Sequence, residues 1–209
     1  MSSASHQPRA ARKSSDERAA EIKSAACAIA LEHGLNALTL RAVAAQVGVT
    51  SALVAHYEPN MEQLVASTVT AVVNDELTRV AHSVAAKTSP TASLRCVIDT
   101  LLGPDTDATT AVWLDAWSLG RRSSVVSGAV RAQMDAWHEF VLGVVQAGLD
   151  RGEFQTDQPD DVAWQLIGMI DGLNAQSLVH YRDAHSRSRL ISRAMEHGLG
   201  LPTGALFEG

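Results

Sequence analysis

The stretch Thr39-Leu40-Arg41-Ala42-Val43-Ala44-Ala45-Gln46-Val47-Gly48-Val49-Thr50-Ser51-Ala52-Leu53-Val54-Ala55-His56-Tyr57 decides the reading of the whole chain. It predicts two short helices flanking one glycine. Leu40, Val43, Val47, Val49 and Val54 lock the pair together, and Ala44 is small where the helices must cross closely. Gly48 supplies the positive backbone angle of a tight turn. Such a pair offers its second helix to the major groove of double-stranded DNA.

The residues left outside that packing suit the task. Thr39 caps the first helix, and Arg41 follows it, placed to meet a backbone phosphate. Thr50 and Ser51 open the second helix, where hydroxyls and free amides can take a phosphate. Ala52 and Ala55 are small enough to enter a groove and to touch a thymine methyl. His56 and Tyr57 can donate to phosphates or base edges. Asn60, cap of the next helix, completes the candidate DNA-facing set.

Outward from this core the pattern stays helical. A helix begins near Ser15 or Asp16 and ends at Gly34, with Ile22, Ala25, Ala26, Ile29 and Ala30 on one face. Asn60 caps a long helix from Met61 to about Lys87, with Leu64, Thr68, Val72 and Val73 on one side. Further helices are predicted near 91–103, 109–122, 126–151, 159–181 and 186–198, punctuated by Gly103-Pro104, Gly152 and Gly198. With only 4% aromatics and six prolines in 209 residues, and no strand-like alternation, the fold class is all-α. We expect a flexible basic arm over 1–14, a helix-turn-helix domain over 15–60, and a helical effector-binding and dimerisation domain over 61–209.

Charge follows the same division. The net charge is −6. Residues 1–60 carry six basic and five acidic side chains, whereas 61–209 carry eleven and eighteen. The acidic half can face away from phosphate while the first half meets it. The N-terminus lacks the apolar segment of a secretory signal, and no apolar run is long enough for a membrane span. Cys27 and Cys96, both within helical patterns, read as buried free thiols. A cytoplasmic protein without a membrane partner is expected.

In order and at these spacings, the Gly34 stop, Thr39-Leu40-Arg41, Val43-Ala44, Val47-Gly48-Val49-Thr50 and His56-Tyr57 resemble the DNA-binding domain of the TetR family of transcriptional regulators. His56-Tyr57 is similar to the choline/betaine repressor (BetI-like) branch. So are Gly148-Leu149-Asp150-Arg151-Gly152-Glu153-Phe154 and the run from Ala163 to Ile170-Asp171-Gly172-Leu173. The sequence departs from the family pattern at Glu58, where an aromatic is usual, and at Met61, where a lysine is usual. The basic arm (Arg9, Arg12, Lys13) could reach the minor groove in compensation. The resemblance implies a homodimeric repressor on a palindromic operator, released by a small-molecule effector, with its last two long helices paired across the dimer. Val162, Leu166, Ile167, Ile170 and Leu173, with Leu190, Ile191, Ala194 and Met195, give the apolar stripes for that pairing.

Trp113, Trp117, Trp137 and Trp164 fall where such a regulator holds its effector. Trp113 and Trp117 share one helical face, Met134 and Trp137 form another stripe, and Met169 and Ile170 could close the far wall. Asp115, Asp171, Asn174 and Gln176 are polar groups expected nearby, Asp171 and Asn174 as ligand-orienting residues. An aromatic-lined pocket suits a cationic amine through cation–π attraction. No catalytic constellation, phosphate loop or dinucleotide fingerprint is present, so the chain does not read as an enzyme and no cofactor is expected. His180 and His185 lack companions at metal-ligand spacing, so no metal site is expected.

Overall fold

The computed structural model describes residues 14–207. Among these residues there are nine α-helices and no strand: α1 Ser15–His33, α2 Leu40–Val47, α3 Ser51–Tyr57, α4 Met61–Ala85, α5 Pro90–Leu101, α6 Asp107–Gly120, α7 Ser124–Asp150, α8 Pro159–Ser177 and α9 Ala184–Gly198. Leu35–Ala37 forms a single 3-10 turn after α1. The arm residues Arg9, Arg12 and Lys13 lie outside the described residues. None of the helices is long and apolar enough to cross a membrane.

The first four helices start where a side chain can satisfy free amides. Ser14, placed in the arm by the sequence, is the cap of α1. Its backbone N–H donates to Glu17 Oε2 at 2.7 Å, and Glu17 N–H donates to Ser14 Oγ at 3.2 Å. This reciprocal pair answers two of the amides that a helix start leaves open. Thr39 Oγ1 accepts from Ala42 N–H at 3.1 Å and Thr50 Oγ1 from Leu53 N–H at 3.3 Å. Asn60 Oδ1 accepts from both Glu62 and Gln63 amides. Gly48 sits at φ 72°, ψ 38°, the left-handed region that glycine enters without strain.

Two apolar clusters follow. A smaller one joins Ile22, Ala26 and Ile29 of α1 to Leu38, Val43 and Ala44, to Val54 of α3 and to Leu64 at the start of α4. The larger one fills the space between α4, α5, α6, α7, α8 and α9, and takes in Ala30 and Leu35 from the first segment. α4 therefore runs from one core into the other, with Val65 packed against both.

After α7 the chain reverses at Gly152 (φ 69°) and folds Phe154 back over Gly148. A Cβ at Gly148 would come within 1.9 Å of the Phe154 ring, so only glycine admits this corner. Glu153 Oε2 accepts from the backbone N–H and the hydroxyl of Thr91, tying the corner to the start of α5.

Several expectations need correction here. Val162, Leu166, Ile170, Ile191 and Met195 are buried inside the subunit, where α8 packs on α7 and α9, and so cannot face a second copy. What α8 and α9 leave outside is Trp164, 67% exposed, and Leu190, 54% exposed, beside exposed Gly168 and Gly172. Cys27 and Cys96 are free but only half-buried. Helix α8 stops at Ser177 rather than 181, and the turn beyond it holds His180 and Arg182 at positive φ.

Candidate effector cavity and DNA-facing surface

The outer face of α2 and α3 presents Thr39, Arg41, Thr50, Ser51, Ala52 and His56 to solvent. Asn60 is exposed at the start of α4. Val54 is fully buried, and that one anchor fixes which side of α3 looks out. Ala55 and Tyr57 are half-buried; the Tyr57 ring packs against the smaller core and meets the His56 ring edge-on at 5.4 Å. Thr39 and Thr50 spend an oxygen lone pair on their caps, which leaves each hydroxyl hydrogen able to donate outward. Asn60 likewise keeps its Nδ2 donors.

In the larger half, α4, α5, α6, α7 and α8 leave a cavity of about 50 Å³. That is several times the ~10–15 Å³ that one water requires. Trp113, Trp117, Trp137, Asp171 and Asn174 all line it, and Met134, Ile170, Glu76, Leu101, Thr110 and Ile167 complete the wall. The Trp113 and Trp117 rings lie 5.6 Å apart. Met169 does not line the cavity. Ile167, Ile170, Asp171 and Asn174 recur at the spacing of one face of α8, and Met169 falls outside that stripe, packed into the apolar core. Trp164 and Gln176 stand on the exposed side of α8.

The residue that the sequence reading missed is Glu76. It lies on α4 in step with Val69, Val72, Val73 and Val80, all buried, so a carboxylate there interrupts an apolar stripe. A lone acidic residue in such a stripe was the available signal. Burial pushes the Glu76 carboxyl up to about 7, Asp171 adding to the rise while Arg79 opposes it. Burial likewise raises Asp171 to about 6. Two desolvated carboxylates beside three indole rings make a site that gains when a cation enters. Polar atoms around it also lack partners: Asn174 Oδ1 and Trp137 Nε1 are buried and unbonded, while Asn174 Nδ2 donates to the Leu101 carbonyl at 2.8 Å. Among the described residues no cluster of three or more His, Cys, Asp or Glu is placed to hold a metal ion.

Asp115 is not a cavity residue. Successive helical residues rotate by about 100°, so Asp115, two places from each of Trp113 and Trp117, looks away from them. Its Oδ2 accepts from the Leu35 backbone N–H at 2.8 Å and its Oδ1 from Asn36 Nδ2 at 3.1 Å. Gly34, at φ 79°, makes room for this contact: a Cβ there would lie 2.8 Å from Asp115 Oδ2. Helix α6 thus touches the cavity on one side and the exit of α1 on the other.

Residues 90–199 match the family model described as BetI-type transcriptional repressor, C-terminal, and residues 22–68 match that of bacterial regulatory proteins, tetR family. No curated protein matches the chain. Among solved structures, a transcriptional regulator from Saccharomonospora viridis in complex with choline superposes with a TM-score of 0.78 at 18% identity, over 88% of this chain and 98% of the other. A TetR transcription regulator from Haloarcula marismortui gives 0.74 at 22% identity, over 88% and 99%. A TetR-family regulator from Rhodococcus gives 0.76 at 14% identity, over 88% and 99%. At these identities the likeness speaks for the fold.

Proposed function

The chain belongs to the TetR family of bacterial regulatory proteins, with a BetI-type C-terminal half, and from that premise we propose that it is a homodimeric cytoplasmic repressor that a cationic amine releases from a palindromic operator. One observation carries this reading. The helix that brings Trp113 and Trp117 to the cavity also holds, through Asp115, the turn leading out of α1. A ligand that shifts α6 therefore acts on the DNA-facing helices through a hydrogen-bonded contact. The choline bound by the Saccharomonospora relative, together with the carboxylates and indoles of this cavity, supports an amine as the effector.

In this reading Arg41, Thr39, Thr50 and Asn60 hold phosphates, while Ser51, Ala52, Ala55 and His56 meet the groove. Tyr57 gives its ring to the smaller core and its hydroxyl to the phosphate backbone. A second copy joins along the exposed face of α8 and α9, where Trp164 and Leu190 flank the small residues Gly168 and Gly172. The two-fold axis sets the recognition helices roughly 34–36 Å apart, one DNA turn.

The test is a gel shift with DNA from upstream of the protein's own coding region. Salt-sensitive binding to a palindrome, lost on adding a cationic amine, is expected. Arg41→Ala and Tyr57→Ala should weaken binding across sequences, and Trp113→Ala and Trp117→Ala should abolish release while sparing operator affinity. Absence of specific binding at low salt would overturn the reading in favour of a helical adaptor.

A further inference from the structure

Seven large apolar side chains stand exposed among the described residues, and four of them, Trp164, Val179, Tyr181 and Leu190, belong to α8, the turn after it and α9. Their placing along α8 is uneven. The outward stripe of that helix reads Asp161, Trp164, Gly168, Gly172, Gln176 and, just past its end, Val179, all exposed. A bulky ring stands near the start, bare backbone in the middle and a groove at the end.

The groove, of about 350 Å³, lies where α8, the turn and α9 meet and has room for an aromatic side chain. Leu173, Tyr181 and Leu190 give it apolar walls. Arg182, Arg187, Arg189 and Arg193 give it four positive charges, with no acidic residue in the lining. Among the described residues no carboxylate forms an ion pair with any of the four. Arg187 is 8% exposed, its Nη1 donates to the Arg182 carbonyl at 3.3 Å, and its Nε is buried without a partner. Arg182 already lies 5.5 Å from the centre of the Tyr181 ring. Guanidinium groups in this state gain when the face of an indole is laid against them.

The stripe fits its own image. A two-fold axis crossing α8 midway between Gly168 and Gly172 exchanges the two ends of the helix. Trp164 lies six residues before that point, and Gln176, in the groove wall, lies six residues after it. At the helical rise of roughly 1.5 Å per residue, both stand about 9 Å from the axis. The same operation carries Asp161 to the level of Val179, beside Arg182. Two glycines at the crossing allow the backbones to approach closely. A patch complementary to itself across a two-fold axis is what a symmetric dimer requires.

Resting on the homodimer reading above, we propose that Trp164 anchors the dimer. Each copy's indole seats in the arginine groove of the other, and each copy's Asp161 pairs with the partner's Arg182. The lock is reciprocal and fixes the register of one α8 on the other.

The experiment uses the full-length protein, diluted and followed by sedimentation equilibrium and tryptophan emission. Trp164→Ala should raise the dimer dissociation constant by about thirtyfold or more, the loss expected of a central aromatic anchor. The red shift of emission on dissociation should be lost when Trp164→Phe removes that indole. Trp164 lies outside the subunit core, and circular dichroism checks that the helices are kept. Asp161→Arg and Arg182→Asp chains should each dimerise poorly alone and well when mixed, because the mixed pair restores opposite charges at both contacts. A Trp164→Ala dimer as tight as the parent, or no gain on mixing, overturns this inference and leaves the homodimer reading standing. Stabilisation by inorganic phosphate that Arg182→Asp abolishes, with dimerisation unchanged, assigns the groove to a free anion and overturns it too. A parent protein that stays monomeric at the concentrations at which it binds its operator overturns both.

Discussion

In the segment that carries α1, α2 and α3, each helix start has a side chain on its free amides and the apolar cluster closes without a buried polar atom left over. Around the cavity of the larger half, the interior keeps two raised carboxylates and leaves Gln133, Trp137 and Asn174 with unbonded polar atoms. Buried polar groups without partners oppose folding, so a fold tolerates them where something else supplies the partner. The first region is finished on its own and serves as a rigid presenter. The second keeps polar atoms open that a bound molecule could answer.

The sharpest way to break this contrast is to spoil the finished region alone. Val54→Asp places an unpaired charge at a fully buried position and should destabilise the smaller core by on the order of 4 kcal/mol or more. Operator binding should vanish while the tryptophan fluorescence response to cations persists; loss of both together would show that the two regions melt as one.

Next in size is the link between them. Asp115→Ala removes the acceptor for Leu35 and Asn36, and the coupling between effector and operator, typically ~1–3 kcal/mol, should fall towards zero. Effector affinity without DNA and operator affinity without effector should each change by less than that. Measuring operator affinity with and without effector checks this, and an unchanged ratio of the two would remove Asp115 from the linkage.

The pH response sharpens the other side. A cation pairs with ionised Glu76 and Asp171, whose carboxyls are raised to about 7 and about 6. Arg79, Asp75 and Thr109 also act on Glu76 and are part of the balance. Affinity should therefore drop as pH falls through 7 and then 6, by about tenfold per unit once one proton must be displaced. The empty protein should show the reverse trend. A carboxyl raised on folding contributes most to stability below its unfolded value and loses that contribution as pH rises through its folded value. Calorimetry in buffers of different ionisation heat would register the proton released on binding.

The smallest expected effect is local. Thr50→Ala deletes the cap on α3 and should cost about 1 kcal/mol of stability. Operator affinity should fall further than the cap alone explains if the Thr50 hydroxyl also meets phosphate.

How much of this was legible in the sequence follows the distance over which each feature is written. The paired helices were readable because caps, glycine and apolar anchors fall within the nineteen residues from Thr39 to Tyr57. Trp113 and Trp117 were readable as one face because their spacing is local. Glu76 is legible only as an acidic break in the apolar stripe of α4, and its place at the cavity depends on how α4 packs on α6 and α7. Asp115 is a sequence neighbour of the tryptophans, yet helical rotation turns it to the opposite side, towards Leu35 and Asn36. The apolar stripes of α8 and α9 were legible as stripes. Sequence alone could not tell whether the surface that covers them belongs to the same chain or to another.

Gly34 and Asp115 also bear on modularity. Reading heads look exchangeable among regulators of one architecture, since the cut can be made at the start of α4. Here a graft made there would separate a carboxylate from the two donors it holds, and a replacement head with a side chain at position 34 would be strained at its positive φ and would push that carboxylate aside. A working chimera would have to carry residues 34–36 and 115 as one inherited unit, eighty positions apart in the chain.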